Sequence, residues 1–339
     1  MPMINMNEAA TAKLTWLGSC VGLLLMLCLS AAPAQALSNR TWVSGAGSDA
    51  SPTCSRTAPC LTFQSAHDKT SAGGEVNCLD SGSFGTLNII KSISIICEGV
   101  VGGVLAAFGD AIGVFVGPND VVHLRGLDIE GAGAGRVGIE FQSGSALHVE
   151  NCRIRDFNDP SDGEGWGIQV ILDNNNGAFE LYVTDTTISH NGSASSGGGI
   201  LVQAPPASTS KVVINQSNVQ NNFFGIKADG TGAGGGVINM TVRNTASVGN
   251  SSNGIVGTMS AGGAAVVMML DRVTSSHNAA GFGIIADGPS TFINVGNSSI
   301  AGNANGVGSS NGGTLLSFKT NQIRGNSSDG TPVTAVGLD

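Results

Sequence analysis

Charged and aromatic side chains are both scarce in this chain. Of its 339 residues only 12% are charged and 5% aromatic, with a single tyrosine, while 41% are hydrophobic. That balance is too apolar for a disordered chain. No basic stripe is present and the net charge is −9, which argues against nucleic acid as a partner. The same acidity repels polyuronates unless a local basic patch or Ca²⁺ intervenes. No C-x-x-C or Cys/His ligand spacing occurs, which removes the usual zinc sites. Beyond residue 29 no apolar run is long enough to span a bilayer.

Glycine, by contrast, is abundant, with 51 residues suited to tight turns. Seven Gly-aliphatic steps recur along the chain: Gly138-Ile139, Gly167-Ile168, Gly199-Ile200, Gly225-Ile226, Gly254-Ile255, Gly283-Ile284 and Gly306-Val307. They are spaced by 29, 32, 26, 29, 29 and 23 residues, and short β-like runs without helical periodicity lie between them. Such a repeat predicts a solenoid of parallel strands. A solenoid core grows along one axis, so this length does not demand two domains.

The first 36 residues read as a signal peptide. Lys13 precedes an apolar stretch from Leu14 to Leu29, and Ala34-Gln35-Ala36 forms an A-x-A cleavage site. A retained membrane helix is the alternative, but the run is short and ends in a processing signal. Leu17-Gly18-Ser19-Cys20 mimics a lipoprotein site only weakly, because the apolar run continues past it. Export suits the cysteines. Cys54 and Cys60 are close in sequence, and Cys78 and Cys97 lie one short repeat apart. The expected bridges are Cys54–Cys60 and Cys78–Cys97, although spacing alone leaves other connectivities open.

Residues 37–72 are expected to form an N-terminal cap, and residues 73–339 the solenoid. In the cap, Pro59 suits a first helical position, and Cys60 to Thr70 reads as a short helix with Phe63 and Ala66 inward. In the coils, Val122–Ile129 aligns with Leu147–Ile154 at a step of 25 residues. Strand alternation then stacks Leu124, Val149, Val183 and Ile214 in one core column, and Ile129, Ile154, Ile188 and Val219 in another. Cys152 falls in an inward column with Leu127 and reads as a small buried hydrophobe. Asn191, Asn222, Asn250, Asn278, Asn303 and Asn326 recur at the turn after a strand. Asn tolerates left-handed backbone, and its amide can bond its counterpart in the next coil. Asn191, Asn250 and Asn326 match N-x-S/T sequons, and their turn chemistry is the simpler explanation.

Three blocks carry a family resemblance: Trp42-Val43-Ser44-Gly45 with Asp49, Pro59-Cys60-Leu61-Thr62-Phe63, and Gly73-Gly74-Glu75-Val76. With the Ile188–Asn191 turn leading to Gly199-Ile200, they make the chain resemble the right-handed parallel β-helix superfamily, the pectin-lyase-like fold. The resemblance implies an all-β, right-handed parallel β-helix of about ten coils with an N-terminal cap. Right-handedness also follows from the crossover rule for parallel strands. The family's members include pectate lyases, polygalacturonases, uronan epimerases, depolymerases and non-enzymatic adhesins, so the resemblance implies a fold rather than one activity.

The motifs of the family's enzymes are missing. Its glycosidases carry Asp just before the Gly-aliphatic step, where this chain has Val137, Trp166, Gly198, Phe224, Asn253, Phe282 and Asn305. Asp159-Pro160-Ser161-Asp162 only echoes the epimerase Asp-Pro-His-Asp motif, with Ser161 in the place of His. Four residues stay as catalytic candidates: Arg153, Arg155, Asp162 and His190. Arg153 and Arg155 suit an anionic-sugar clamp. The alignment instead places Arg153 over Asp128, Arg155 over Glu130 and Glu150 over Arg125, a charge ladder of structural character. His123 and His148 stack outward, followed by Tyr182, with no third metal ligand in view. His190 and His277 each sit in a Ser-His-Asn turn. The best candidate binding loop holds Asp156, Asp159, Asp162 and Glu164 beside Trp166. No metal or cofactor is required, Ca²⁺ on these four acids being the one candidate. Trp166 would stack a sugar ring or shield the core edge.

The expectation is therefore an exported protein, periplasmic, extracellular or on the cell surface, with no membrane span in its mature part. It would bind a polysaccharide or surface glycan without catalysis, in the way of an adhesin. The alternative is a polysaccharide lyase, hydrolase or uronan epimerase. Oligomeric state is not legible.

Overall fold

Alternating aliphatic and polar residues at three places per coil produce three flat strands, and tight corners turn the chain between them. The coil Ala146–Glu150, Arg153–Arg155, Trp166–Val170 is followed by Phe179–Thr184, Thr187–Ser189, Gly198–Gln203. Like strands of successive coils pair in parallel and in register: Val149 with Val183, Ile154 with Ile188, Ile168 with Ile200. The computed structural model describes residues 37–159, 164–171, 177–203, 206–232, 234–330 and 333–337. Residues 1–36 and Asp162 lie outside the described residues. Among the described residues, sheet 1 has 12 strands, sheet 2 has ten and sheet 3 has nine. In the order of the first coil above, its strands belong to sheets 1, 2 and 3. Nine complete turns stand against the about ten expected.

The predicted core columns form. Leu124, Val149, Val183 and Ile214 share one register on sheet 1, and Ile129, Ile154, Ile188 and Val219 share one on sheet 2. All eight side chains are fully buried, each contributing about 1.5–3 kcal/mol. The Gly-aliphatic step has a steric cause. A Cβ on Gly225 would lie 2.2 Å from Ser247 Oγ and 2.3 Å from the Gly254 carbonyl oxygen. The aliphatic partner, Ile226, points into the core.

Two polar ladders hold the corners. Between sheets 2 and 3 the Asn side chains form a continuous chain of amides. Asn191 Nδ2 donates to Asn222 Oδ1 at 3.0 Å, Asn250 to Asn278 at 2.9 Å, Asn278 to Asn303 at 2.8 Å and Asn303 to Asn326 at 2.8 Å. The chain closes on Asp329, whose Oδ1 accepts from Asn326 Nδ2 at 3.0 Å. At the other end Asn191 Oδ1 accepts from the Phe157 backbone N–H at 3.1 Å. The left-handed residue is not the Asn, as expected, but the one before it: His190, Asn221, Gly249, His277, Gly302 and Gly325 have φ of 58°, 55°, 64°, 55°, 69° and 77°. That left-handed step turns the corner and aims the following Asn inward.

The sheet 1–sheet 2 corner uses hydroxyls in the same way. Thr186 Oγ1 accepts from the Cys152 N–H, Ser217 Oγ from the Thr186 N–H, and Ser298 Oγ from the Val273 N–H, at 3.3, 3.2 and 3.1 Å. Each hydroxyl also donates to a carbonyl two residues back, at 2.9, 2.9 and 2.7 Å. Cys152 occupies the same column, buried, and burial pushes its thiol up to about 11.

The cap strand Ser38–Val43 pairs in parallel with Thr70–Cys78 and so begins sheet 1. The cap helix runs Phe63–Lys69, shorter than the expected Cys60–Thr70, and Pro59 lies outside it. Thr62 is the N-cap, its side chain accepting from the Ser65 N–H at 3.2 Å. Asp49 holds the preceding turn by accepting from the Leu61 and Thr62 N–H groups, both at 2.9 Å. Phe63 and Ala66 face inward as expected. Both disulfides form as expected, Cys54–Cys60 and Cys78–Cys97. Among the described residues no helix is long and apolar enough to cross a membrane.

Candidate functional site

The outer face of sheet 2 carries a groove of about 430 Å³ across the first coils. Its floor is flattened by Gly82 and Gly103, and Ser81 and Ser83 contribute hydroxyls. Val101 and Leu105, which lie along it, are 52% and 49% exposed. Asp128, Glu130 and Arg155 close one side. Arg155 reaches Glu130 at 2.8 Å, Asp128 at 3.2 Å and Asp156 at 3.3 Å. Burial works against the Arg155 charge, but Asp128 and Glu130 outweigh it and hold the guanidinium above its ordinary range.

The expected charge ladder holds in register and in two of its pairs, and is corrected at the third. Arg153 does sit beside Asp128 in register, yet its side chain is exposed and makes no ion pair among the described residues. Arg155 takes both carboxylates, because only its side chain is flanked by Asp128, Glu130 and Asp156 together. Arg125 pairs with Glu98 at 2.8 Å and more distantly with Glu150 at 3.8 Å.

A second cluster lies on the outer face of sheet 3. Arg136 pairs with Asp110, with Glu140 at 3.0 Å and with Glu164 at 3.1 Å. Glu140 is buried, and burial together with the Asp110 charge raises its pKa. Burial opposes the Arg136 charge as well, but Asp110, Glu140 and Glu164 raise it further above its usual range. Gln169 lies beside Glu140 in register, 3% exposed, and its Oε1 has no hydrogen-bond partner among the described residues. Asp110 Oδ1 is buried without a hydrogen bond too. A search confined to the residue before each Gly step passes over this cluster, since Glu140 follows Gly138 by two positions. The signal available in the sequence was the Arg136–Glu140 spacing of four residues.

Two acids of the candidate loop, Asp156 and Glu164, point apart. Asp156 turns to Arg155 and Glu164 to Arg136, on two different faces. The Asp159 N–H donates to the Gly135 carbonyl at 3.2 Å. Among the described residues no three His, Cys, Asp or Glu side chains form a group able to hold a metal ion. Trp166 is 6% exposed. Its ring is parallel to Phe224 at 6.3 Å, in a small apolar cluster with Val137 and Leu201, so the indole covers the sheet instead of facing solvent.

His123, His148 and Tyr182 stack on sheet 1, with centroids 4.4 and 4.6 Å apart. Tyr182 donates to Glu180 at 2.6 Å. Burial, and then the neighbouring His123, lower the pKa of His148. His190 is exposed at the corner and lines a shallow groove of about 290 Å³ with Asn158, Asn221, Phe223 and Ser251.

Residues 109–247 match the family model described as the right handed beta helix region. The match and the parallel sheets agree with the expected fold. No curated protein and no solved structure matches the chain.

Proposed function

We propose that this right-handed parallel β-helix is an exported, non-catalytic protein that binds glycan in the groove of sheet 2, as an adhesin or surface-binding module. The observation that carries the reading is the chemistry of that groove. Exposed Val101 and Leu105 offer surface to the C–H faces of sugar rings, and Ser81 and Ser83 offer hydroxyl partners. Its two carboxylates are both held by one guanidinium, at 2.8 and 3.2 Å. Acids fixed in this way anchor a ligand, and neither Asp128 nor Glu130 is buried as a proton-holding carboxyl would be. Export is supported by the Lys13 to Ala36 segment and by two disulfides, which persist in oxidising compartments.

The test is retention of the mature protein, residues 37–339, on a panel of acidic, neutral and basic polysaccharides, with product size followed in parallel. Retention without chain shortening is expected. Leu105→Ser should weaken it by removing apolar surface from the groove. Chain shortening, or no retention on any glycan, would overturn the reading.

One observation favours a hydrolytic alternative. Glu140 and Asp110 share Arg136 on sheet 3, burial and the Asp110 charge raise the Glu140 pKa, and a pair of carboxyl groups is what glycoside hydrolysis uses. If turnover is found, Glu140→Gln should abolish it without loss of the fold.

A further inference from the structure

The charge of the chain is unevenly placed. Between residues 98 and 164 the sequence has eleven Asp and Glu, four Arg and no Lys, an excess of seven negative charges out of the chain's nine. The described residues among them form most of the coils that bear the sheet 2 groove. Three of the four arginines are outnumbered by the acids around them: Arg125 by Glu98 and Glu150, Arg136 by Asp110, Glu140 and Glu164, and Arg155 by Asp128, Glu130 and Asp156. On the groove's own face Asp128, Glu130 and Asp156 outnumber Arg155 and the exposed Arg153 by one, so the field over the groove is negative, and the acids of the other two faces add to it at longer range. A polyuronate approaching it is repelled over roughly a Debye length, about 10 Å at 0.1 M salt, while a polycation is drawn in.

We infer that the groove takes a cationic glycan, a polymer of amino sugars with free amines, and that Asp128 and Glu130 receive its ammonium groups. This deepens the glycan-binding reading and rests on it. The apolar wall and the charge act on different parts of such a ligand. Val101 and Leu105 meet the ring face, and an amine beside it meets Glu130, in register beside Leu105, and Asp128, in register beside Gly103. Arg155 keeps both acids in place; Asp128 Oδ1 is covered, so Asp128 Oδ2 and the Glu130 oxygens carry the acceptor positions left to the ligand. A purely neutral sugar would leave the excess charge unanswered, and a uronan would add to it.

The experiment measures binding of glucosamine oligomers, their N-acetylated counterparts, oligogalacturonate and an oligolysine of matched charge, at about pH 5.5 where the amines are protonated. The expected order places glucosamine oligomers first, with affinity falling at least about tenfold between about 0.05 and 0.5 M salt. Asp128→Asn with Glu130→Gln should weaken binding by about three- to tenfold. An unchanged melting curve for the double variant would separate lost charge from lost fold, and the salt series on the natural protein needs no variant. Equal or tighter binding of the acetylated or uronic oligomers would overturn the cationic preference and leave the glycan reading intact. Binding of no glycan would remove both. Oligolysine bound as tightly as the amino sugar would overturn the sugar as occupant, and full affinity in the double variant would overturn the groove as the site.

Discussion

The side-chain amide of Asn250 donates to Asn278 Oδ1 at 2.9 Å, and the same oxygen accepts the Asn250 backbone N–H at 3.1 Å. One carbonyl oxygen thus answers two donors of the coil before it, and its own amide repeats the pattern on Asn303. The ladder is buried: Asn250 is fully covered, and Asn222 and Asn278 nearly so. Each rung satisfies a backbone N–H at a corner where no sheet partner is available, which is the condition a buried amide imposes.

Asn250→Ala should therefore cost about 2–4 kcal/mol, because the Asn222 N–H and amide lose their acceptor and stay buried. Asn250→Asp should cost as much or more, since it places a carboxylate at a fully covered position. Urea unfolding measures both. A loss below about 0.5 kcal/mol for the Ala variant would mean that water replaces the rung at no cost.

The neighbouring position gives the opposite sign. His277 holds φ at 55°, a left-handed conformation that costs a non-glycine residue about 1–2 kcal/mol. Gly249 and Gly302 fill the same column in adjacent coils. His277→Gly should be neutral or stabilising by up to about 1 kcal/mol, and His277→Val clearly destabilising. His190, at 58°, should respond in the same way. A His190→Gly variant that loses glycan binding would give the imidazole a role beyond the corner.

How far these features could be read in advance depends on how uniform each column is. The Gly-aliphatic step was legible because close contact at Gly225 and its counterparts permits no other residue. The Asn ladder was legible because one residue type fills it from Asn191 to Asn326. The hydroxyl ladder was not, because its column mixes Cys152, Thr186, Ser217, Thr245, Val273 and Ser298, each able to face the same corner. The left-handed column was hidden for the same reason, carrying His, Asn and Gly in turn. The Arg136 cluster was hidden by topology. Its acids come from three coils, and only the register of sheet 3 brings Asp110 and Glu140 to one guanidinium.

Glu140 sets one pH dependence. Its pKa is raised by burial and by Asp110 above the ordinary 4.5. The stability tied to its proton is fully present below 4.5 and is lost as pH rises through the elevated folded value. Glu140→Gln mimics the protonated form, so it should match the natural protein at low pH and exceed it at neutral pH. Chemical unfolding across that window reads the difference. A variant less stable at neutral pH would show that the Arg136–Glu140 ion pair outweighs the burial of the carboxylate.

His148 sets the other, with the reverse sign. Burial and the imidazole of His123, stacked 4.4 Å away, hold its pKa below the ordinary 6.5. Glu150 and Glu180 pull the other way, and they do not prevail. A lowered histidine favours the fold while neutral, so its contribution is complete above 6.5 and is lost as pH falls below that value toward the folded pKa. The loss should be local to sheet 1 around Ser94, His123, His148 and Tyr182, where the charge gained by His148 is held partly away from water. Hydrogen exchange at pH values on either side of 6.5 tests this. Protection in strands Val121–Arg125 and Ala146–Glu150 should fall on acidification, after correction for intrinsic rates, while the Asn corner stays protected. His148→Phe keeps the stack without the titrating group, so the acid-dependent loss should vanish in it. If the same strands loosen equally in that variant, the acid sensitivity belongs to another group, and His67 is the next to replace. It is fully buried in the cap helix, its pKa lowered first by burial, and its Nε2 faces the Ile90 N–H at 3.4 Å.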